Sequence, residues 1–206
     1  MAARIELRCV TFNLLADGVY SDCLANEQKV SFERRLAGLI TTLTNQNADI
    51  LALQECPGKH FDEISAKLGP DFAGCYCPRL DFIFGQAIFW RVKRFYCQLQ
   101  ANLSLSSDNV HTAALAVLSC RYTLVTFAVF NAHISARYKE PMTQWEQAFS
   151  LVEGLVAVRR RYPSAACIMC GDYNSLPDSL VYRYLTSSQV NLASAYKACH
   201  GHDPEW

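Results

Sequence analysis

The 206-residue chain has no excess of either charge, since 19 Lys and Arg balance 19 Asp and Glu. There is thus no global basic field to draw in nucleic acid, and a polyanionic partner has to be held by a local cleft. No apolar run is long enough for a membrane span, and Met1-Ala2-Ala3-Arg4 lacks the apolar core of a signal peptide, so the expected compartment is intracellular, in the cytoplasm. Neither a Gly-x-Ser-x-Gly elbow nor a Gly-rich loop followed by Lys-Ser/Thr is present, which argues against serine-nucleophile hydrolysis and against a nucleoside-triphosphate motor. Cysteine is not scarce, but the ten thiols are diluted over a chain too large to need staples, and many sit in apolar runs. They read as reduced cysteines. Cys167 and Cys170 have a zinc-like spacing, yet three residues apart on a strand they face opposite sides, and Cys75-Tyr76-Cys77 alone is too small a site.

With 51% hydrophobic and 18% charged residues, the length suits one large α/β domain over 1–206 with a substantial core. The stretch that organises it is Cys167-Ile168-Met169-Cys170-Gly171-Asp172-Tyr173-Asn174-Ser175. Four apolar residues form a buried strand, Gly171 lets the backbone bend, and alternation puts Asp172 and Asn174 on one side. An Asp accepts hydrogen bonds, and an Asn amide also donates to an oxyanion. A polar turn leading to a helix at Leu180 to Leu185, capped by Asp178 or Ser179, is the plainer alternative.

Toward the N-terminus, Ile5 to Asn13 reads as a strand. Ser31 caps a helix whose Phe32, Leu36, Leu39, Ile40 and Leu43 recur at helical spacing through Asn45. The turn Asn47-Ala48-Asp49 leads to the apolar strand Ile50-Leu51-Ala52-Leu53, which ends in Gln54-Glu55. Strand, helix, strand makes a βαβ unit with Asn13 and Glu55 at corresponding ends. Lys59 to Leu68 predicts a short helix and Gly69-Pro70-Asp71 a turn. Gln86 to Arg91, Val110 to Ser119 and Thr123 to His133 predict strands, the last two adjacent. Arg91, Lys93 and Arg94 read as a solvated basic rim. A helix follows Pro141, with Trp145, Phe149, Val152 and Val156 on one face and Arg159-Arg160-Arg161 answering its dipole.

Asn13, Glu55, His133, Asp172 and Asn174 therefore all fall where strands end. A strand-end histidine is commonly a satisfied rim residue. One cleft that gathers a carboxylate for Mg²⁺, a His and an Asp-Asn pair, however, is the constellation for metal-assisted hydrolysis of a phosphate ester.

Thr11-Phe12-Asn13-Leu14-Leu15-Ala16-Asp17, Asp49-Ile50-Leu51-Ala52-Leu53-Gln54-Glu55, Gln86-Ala87-Ile88-Phe89-Trp90, Asn131-Ala132-His133 and Gly171-Asp172-Tyr173-Asn174-Ser175 resemble, in order and spacing, the motifs of the endonuclease/exonuclease/phosphatase superfamily. Asn174-Ser175-Leu176-Pro177-Asp178-Ser179, Asp108-Asn109-Val110 and Ala193-Ser194-Ala195-Tyr196 are similar to its branch of nocturnin and the carbon-catabolite-repressor deadenylases. The resemblance implies a four-layer α/β/β/α sandwich with the site at one end of the sheets. It also implies Mg²⁺ (or Mn²⁺) on Glu55 with Asn13 beside it, and His133 and Asn174 on the phosphate. Asp172 would orient or deprotonate the attacking water, and Asn109 is a further substrate-binding candidate.

In the family a last strand supplies a Ser-Asp-His motif downstream of the position where this chain stops, at Trp206, so a catalytic domain lacking its last strands is expected. His200 and His202 lie upstream, in a segment that reads as a polar loop. Gln144 stands where the deadenylases often have arginine. The activity implied is a metal-dependent 3′ exoribonuclease acting on poly(A) RNA ends. The alternatives are a 2′,5′-phosphodiesterase, a nucleotide or lipid phosphatase of the same fold, and a non-catalytic scaffold.

Overall fold

The computed structural model describes residues 6–17, 30–80, 84–107, 110–136 and 140–204. Asn109, together with the neighbouring Asp108, lies outside the described residues.

Two four-stranded sheets lie face to face. The first has the order β1 (Cys9–Asn13), β2 (Ile50–Pro57), β4 (Phe84–Arg91), β3 (Phe72–Pro78). The second runs β5 (Phe95–Ser104), β6 (Thr112–Cys120), β7 (Thr126–His133), β8 (Ala166–Asp172). Each sheet holds one parallel pair joined through a helix: β1 and β2 through α1 (Phe32–Asn45), β7 and β8 through α3 (Pro141–Arg161). All other neighbouring strands are antiparallel. The crossovers place a helix on the outer face of each sheet, because a parallel neighbour cannot be reached by a tight turn.

The core is accordingly in three slabs. Phe32, Leu36 and Leu43 of α1 and Ile64 of α2 (Phe61–Leu68) pack on Leu51, Leu53 and Phe89 of the first sheet. Leu151, Leu155 and Val158 of α3 pack on Leu115, Val117 and Phe130 of the second. Between the sheets lie Ile50, Ile88, Trp90, Ala116, Leu118 and Val129. This is the four-layer α/β/β/α sandwich. Strands whose two faces are both covered have no polar side, which is why Ile50 to Leu53 and Ala113 to Leu118 read as unbroken apolar runs.

Several local expectations are met in detail. Ser31 Oγ accepts from Arg34 N (3.4 Å) to cap α1, and Ser179 Oγ accepts from Tyr182 N (3.1 Å) to cap α4 (Leu180–Leu185). The basic rim departs from the solvated reading: at the end of the sandwich away from Glu55 it is ion-paired and hydrogen-bonded. Arg94 pairs with Asp49 (2.6 Å), Lys93 with Asp71 (2.9 Å), and Arg91 Nε donates to Ala48 O (2.8 Å). The nine described cysteines are free thiols. Cys170 points between the sheets to Cys9, Sγ to Sγ 3.5 Å, whereas Cys167 packs toward α3, so the two do face opposite ways. The hydrogen bond from Cys170 holds the Cys9 thiol below its ordinary value. That same bond, with burial, pushes Cys170 up.

Some segments depart from the sequence-based reading. β3 and β5 are additional strands. The starts of two strands shift, β6 beginning at Thr112 rather than Val110 and β7 at Thr126 rather than Thr123. His200 is not in a loop: it closes α5 (Ala195–His200), whose Ser194 side chain caps it by accepting from Lys197 N (3.2 Å). No helix among the described residues is long and apolar enough to cross a membrane.

Candidate active site

Along the inter-sheet layer, residues change character in steps. Ile50, Val129 and Ile168 are apolar. One tier nearer the strand ends come Thr11, Gln54 and Asn131, neutral and polar, and beyond them Asn13, Glu55, His133 and Asp172. Alternation on the strands produces this ladder, because residues two apart share a face: Thr11 with Asn13, Asn131 with His133, Cys170 with Asp172.

Asn13, the last residue of β1, joins the two sheets. Its Nδ2 donates to Glu55 Oε1 (2.9 Å) and to Asp172 Oδ2 (3.0 Å), and its Oδ1 accepts from Leu15 N (2.8 Å). Glu55 is 4% exposed, and its second oxygen accepts from Ala16 N (3.0 Å). Thus β1, β2 and β8 bring three of the expected residues together, and the register of the parallel pair β7–β8 sets His133 beside Asp172.

Glu55 reaches this position through a β-bulge. On β2, Leu53 pairs with Ala87 and Cys56 with Gly85, so Gln54 and Glu55 together oppose Gln86. Glu55 takes up the irregularity with a left-handed φ of 50°, a conformation that costs a non-glycine residue about 1–2 kcal/mol.

Asn174 requires a correction. β8 ends at Asp172, so strand alternation does not place Asn174. It lies two residues on at a left-handed φ of 44°, with its backbone N–H donating to Asp172 Oδ1 (3.0 Å) in an Asx-type turn. Its Nδ2 donates to Ile134 O (2.9 Å), leaving the other amide N–H for a ligand. The outcome is still a shared cleft of about 540 Å³, lined by Asn13, Gln54, Asp172 and Asn174 among others. Glu55 and His133 are buried and are not among its lining residues.

His133 is held neutral near pH 7: burial pushes its pKa below the ordinary value, and Arg79 adds to this, while the charges of Asp172 and Glu55 oppose it. Its Nδ1 is buried and has no hydrogen-bond partner among the described residues.

Four residues have roles at the site that the sequence does not assign to them, although Gln144 stands out as a departure from arginine and Asn131 as part of the Asn131-Ala132-His133 motif. Gln147 Oε1 accepts from Ser135 N (2.9 Å), and Gln144 Nε2 donates to Ser135 O (2.8 Å) and Asn174 O (3.0 Å). The two glutamines of α3 thereby tie down the segments that follow His133 and Asp172. Their 3-residue spacing on one helix face was the available signal. Arg79 is buried, stacks its guanidinium over Phe84 (5.5 Å), and places positive charge near His133. The fourth, Asn131, belongs to the neutral tier and is 0% exposed.

The donor set at the strand ends is hard: two carboxylates with a carboxamide between them. No group of three or more His, Cys, Asp or Glu side chains able to hold a metal exists among the described residues, so there is no closed protein cage. Two carboxylates and a carboxamide form a donor set that fits Mg²⁺, which takes one or two carboxylates and keeps several waters.

Comparison with known proteins identifies the family. Carbon catabolite repressor protein 4 homolog 3 of Arabidopsis thaliana is 30% identical over 197 residues, covering 89% of this chain and 43% of that protein. Nocturnin of Homo sapiens is 28% identical over 214 residues, covering 93% of this chain and 48% of its own length. The chain thus spans about half the length of these curated relatives. The structure of the human nocturnin catalytic domain with bound sulfate superposes with a TM-score of 0.81 at 24% identity, covering 97% of this chain and 77% of that one. The family model described as Endonuclease/Exonuclease/phosphatase family matches residues 10–206, nearly the whole sequence, and the chain belongs to the endonuclease/exonuclease/phosphatase family.

Proposed function

We propose that the protein is a divalent-cation-dependent phosphodiester hydrolase, acting as a 3′ exoribonuclease on adenylate-rich RNA ends. The observation that carries the reading is the Asn13 amide held between the carboxylates of Glu55 and Asp172, one from each sheet. Like charges brought to one place need a donor or a cation to offset their repulsion, and hard oxygen donors select Mg²⁺ or Mn²⁺. Glu55, with Asn13 beside it, would hold the cation, which when bound neutralises charge on the phosphate. The chain's own groups do the rest. Asp172 accepts a hydrogen bond from the attacking water and takes its proton. Asn174 offers its remaining amide N–H to a phosphoryl oxygen, and neutral His133 offers a ring N–H, both strengthening as negative charge develops. Arg79 adds a fixed positive charge at the same end. The choice of adenylate RNA rests on the likeness to the carbon-catabolite-repressor and nocturnin branch.

The full-length protein should release AMP from a 3′-oligo(A) RNA in Mg²⁺ or Mn²⁺, stop in excess EDTA and recover when the cation is restored. Calcium should substitute poorly, because it prefers more ligands and looser geometry. Undiminished turnover in EDTA would overturn the cation. Preferred cleavage of 2′,5′-linked oligoadenylate, or release of inorganic phosphate from a nucleotide, would instead assign one of the alternative activities of the fold.

A further inference from the structure

The neutral tier beneath the site is a closed hydrogen-bond unit across the two sheets. Asn131 Nδ2 donates to Leu53 O (2.8 Å) and Ala87 O (3.0 Å), and Asn131 Oδ1 accepts from Gln54 Nε2 (2.6 Å). Gln54 Nε2 also reaches Thr11 Oγ1 (3.0 Å) and Ala52 O (3.1 Å). Gln54 and Asn131 are 1% and 0% exposed. Leu53 and Ala87 are the last regular pair before the β2 bulge, and Gln54 is one of the two residues that form it. The side chain of Asn131, which belongs to the opposite sheet, therefore fastens both strands where the ladder breaks, as well as the first residue of the break.

We propose that Asn131 and Gln54 are positioning residues for the divalent cation: they fix the bulge from across the sandwich and thereby hold Glu55 in the left-handed conformation that aims its carboxylate at Asn13. The inference rests on the reading of Glu55 as cation ligand. The physical reason is that φ of 50° at Glu55 is intrinsically disfavoured and persists only if its surroundings over-determine it. An apolar layer could fill the same space, but it would leave Leu53 O and Ala87 O without the Asn131 donor and Gln54 without its partner. It would not select one register for the bulge. Polar groups two residues from Asn13 and His133, on the same faces, are thus used to set the geometry of the tier above them rather than to touch a substrate.

The pair is tested by cation binding, measured directly by Mn²⁺ electron paramagnetic resonance on the full-length protein and alongside the Mg²⁺ dependence of oligo(A) hydrolysis. Gln54→Met keeps the side-chain length and leaves Asn131 on its two carbonyls, whereas Asn131→Leu removes those bonds as well. Both variants should bind Mn²⁺ about 10–100-fold more weakly, the range found when groups that orient a metal ligand are lost. Their rates should recover toward the parent value at saturating Mg²⁺. Leu155→Ala, in the slab between α3 and the second sheet, should lower Tm and leave Mn²⁺ affinity alone. If Gln54→Met loses stability but binds Mn²⁺ as the parent does, the pair is only a core hydrogen bond and the proposal fails, whatever becomes of Asn131→Leu. Glu55→Ala separates the two levels, because a Mn²⁺ signal that survives there overturns the ligand assignment of Glu55 itself.

Discussion

Asp172→Asn is expected to slow hydrolysis of oligo(A) by about 10²-fold or more while RNA affinity stays nearly unchanged. The structure gives the substitution two effects. It removes the charge to which the proposed function assigns proton transfer from water, and it changes one hydrogen bond. Asn at this position still accepts from Asn174 N through one oxygen, but its new N–H₂ faces the N–H₂ of Asn13, where Oδ2 now accepts at 3.0 Å. Two donors cannot satisfy each other, so the link between the sheets at Asn13 is lost with the charge. Single-turnover release of AMP and equilibrium binding of the same RNA read the two quantities separately. Affinity that falls in parallel with rate would make Asp172 a binding or folding residue.

The second large effect concerns stability. Gly171, one residue before Asp172, has φ of 151°, and a Cβ placed there would lie 2.1 Å from Ala132 O in the neighbouring parallel strand. Backbone on backbone cannot give way without parting β7 from β8. Gly171→Ala is therefore expected to cost about 3–5 kcal/mol, combining backbone strain with overpacking. For a domain of this size that corresponds to a fall in Tm of roughly 10 °C or more. Gly201→Ala is the matched control. Its φ of 80° is also left-handed, but nothing lies within 4 Å of the added methyl, so it should cost only about 1–2 kcal/mol. Equal melting of the two variants would show that the close approach at Gly171 is relaxed in solution.

What could be read from the sequence follows from which signals are local. The apolar runs at Ile50 to Leu53 and Cys167 to Cys170, and the 3.6-residue periodicity of Phe32 to Leu43, are local, and they placed β2, β8 and α1. The residues that end those strands followed, and Asn13, Glu55 and Asp172 do meet. β5 alternates from Leu99 onward, with Leu99, Ala101 and Leu103 toward α3 and Gln100 and Asn102 outward, so its period-2 signal was present in the sequence, although an irregularity between Cys97 and Leu99 turns Cys97 to the layer between the sheets. β3 is harder to see, since Gly74 and two cysteines dilute the pattern. The bulge could have been suspected from Gln54-Glu55. Two consecutive polar residues in a strand covered on both faces cannot both point outward unless the ladder breaks. Asn131 was not legible as a partner, because the carbonyls it serves are 78 and 44 residues away in sequence. Asn174 shows the opposite failure: strand logic put it in the right cleft for the wrong reason, since an Asx turn rather than alternation carries it there.

Asn13 and Glu55 belong to one sheet, and His133 and Asp172 to the other, so the reacting geometry is split across the plane on which the two sheets could slide. Sideways slip along that plane would change the separation of the two carboxylates without breaking a single bond within either ladder. A displacement of 1 Å between catalytic groups can cost about 10²-fold in rate. Shear is resisted by the interlocked apolar side chains between the sheets, Ile50, Ile88, Trp90, Leu118 and Val129, together with the cross-sheet hydrogen bonds of Asn131 and Asn13 and the Cys9–Cys170 contact at the margin. Truncating one of these apolar side chains and truncating Leu151 under α3 would cost similar folding stability. Only the first would also shift Asn13 and Glu55 relative to His133 and Asp172, so on the proposed function the mechanical stiffness of the layer between the sheets would itself be felt in the rate.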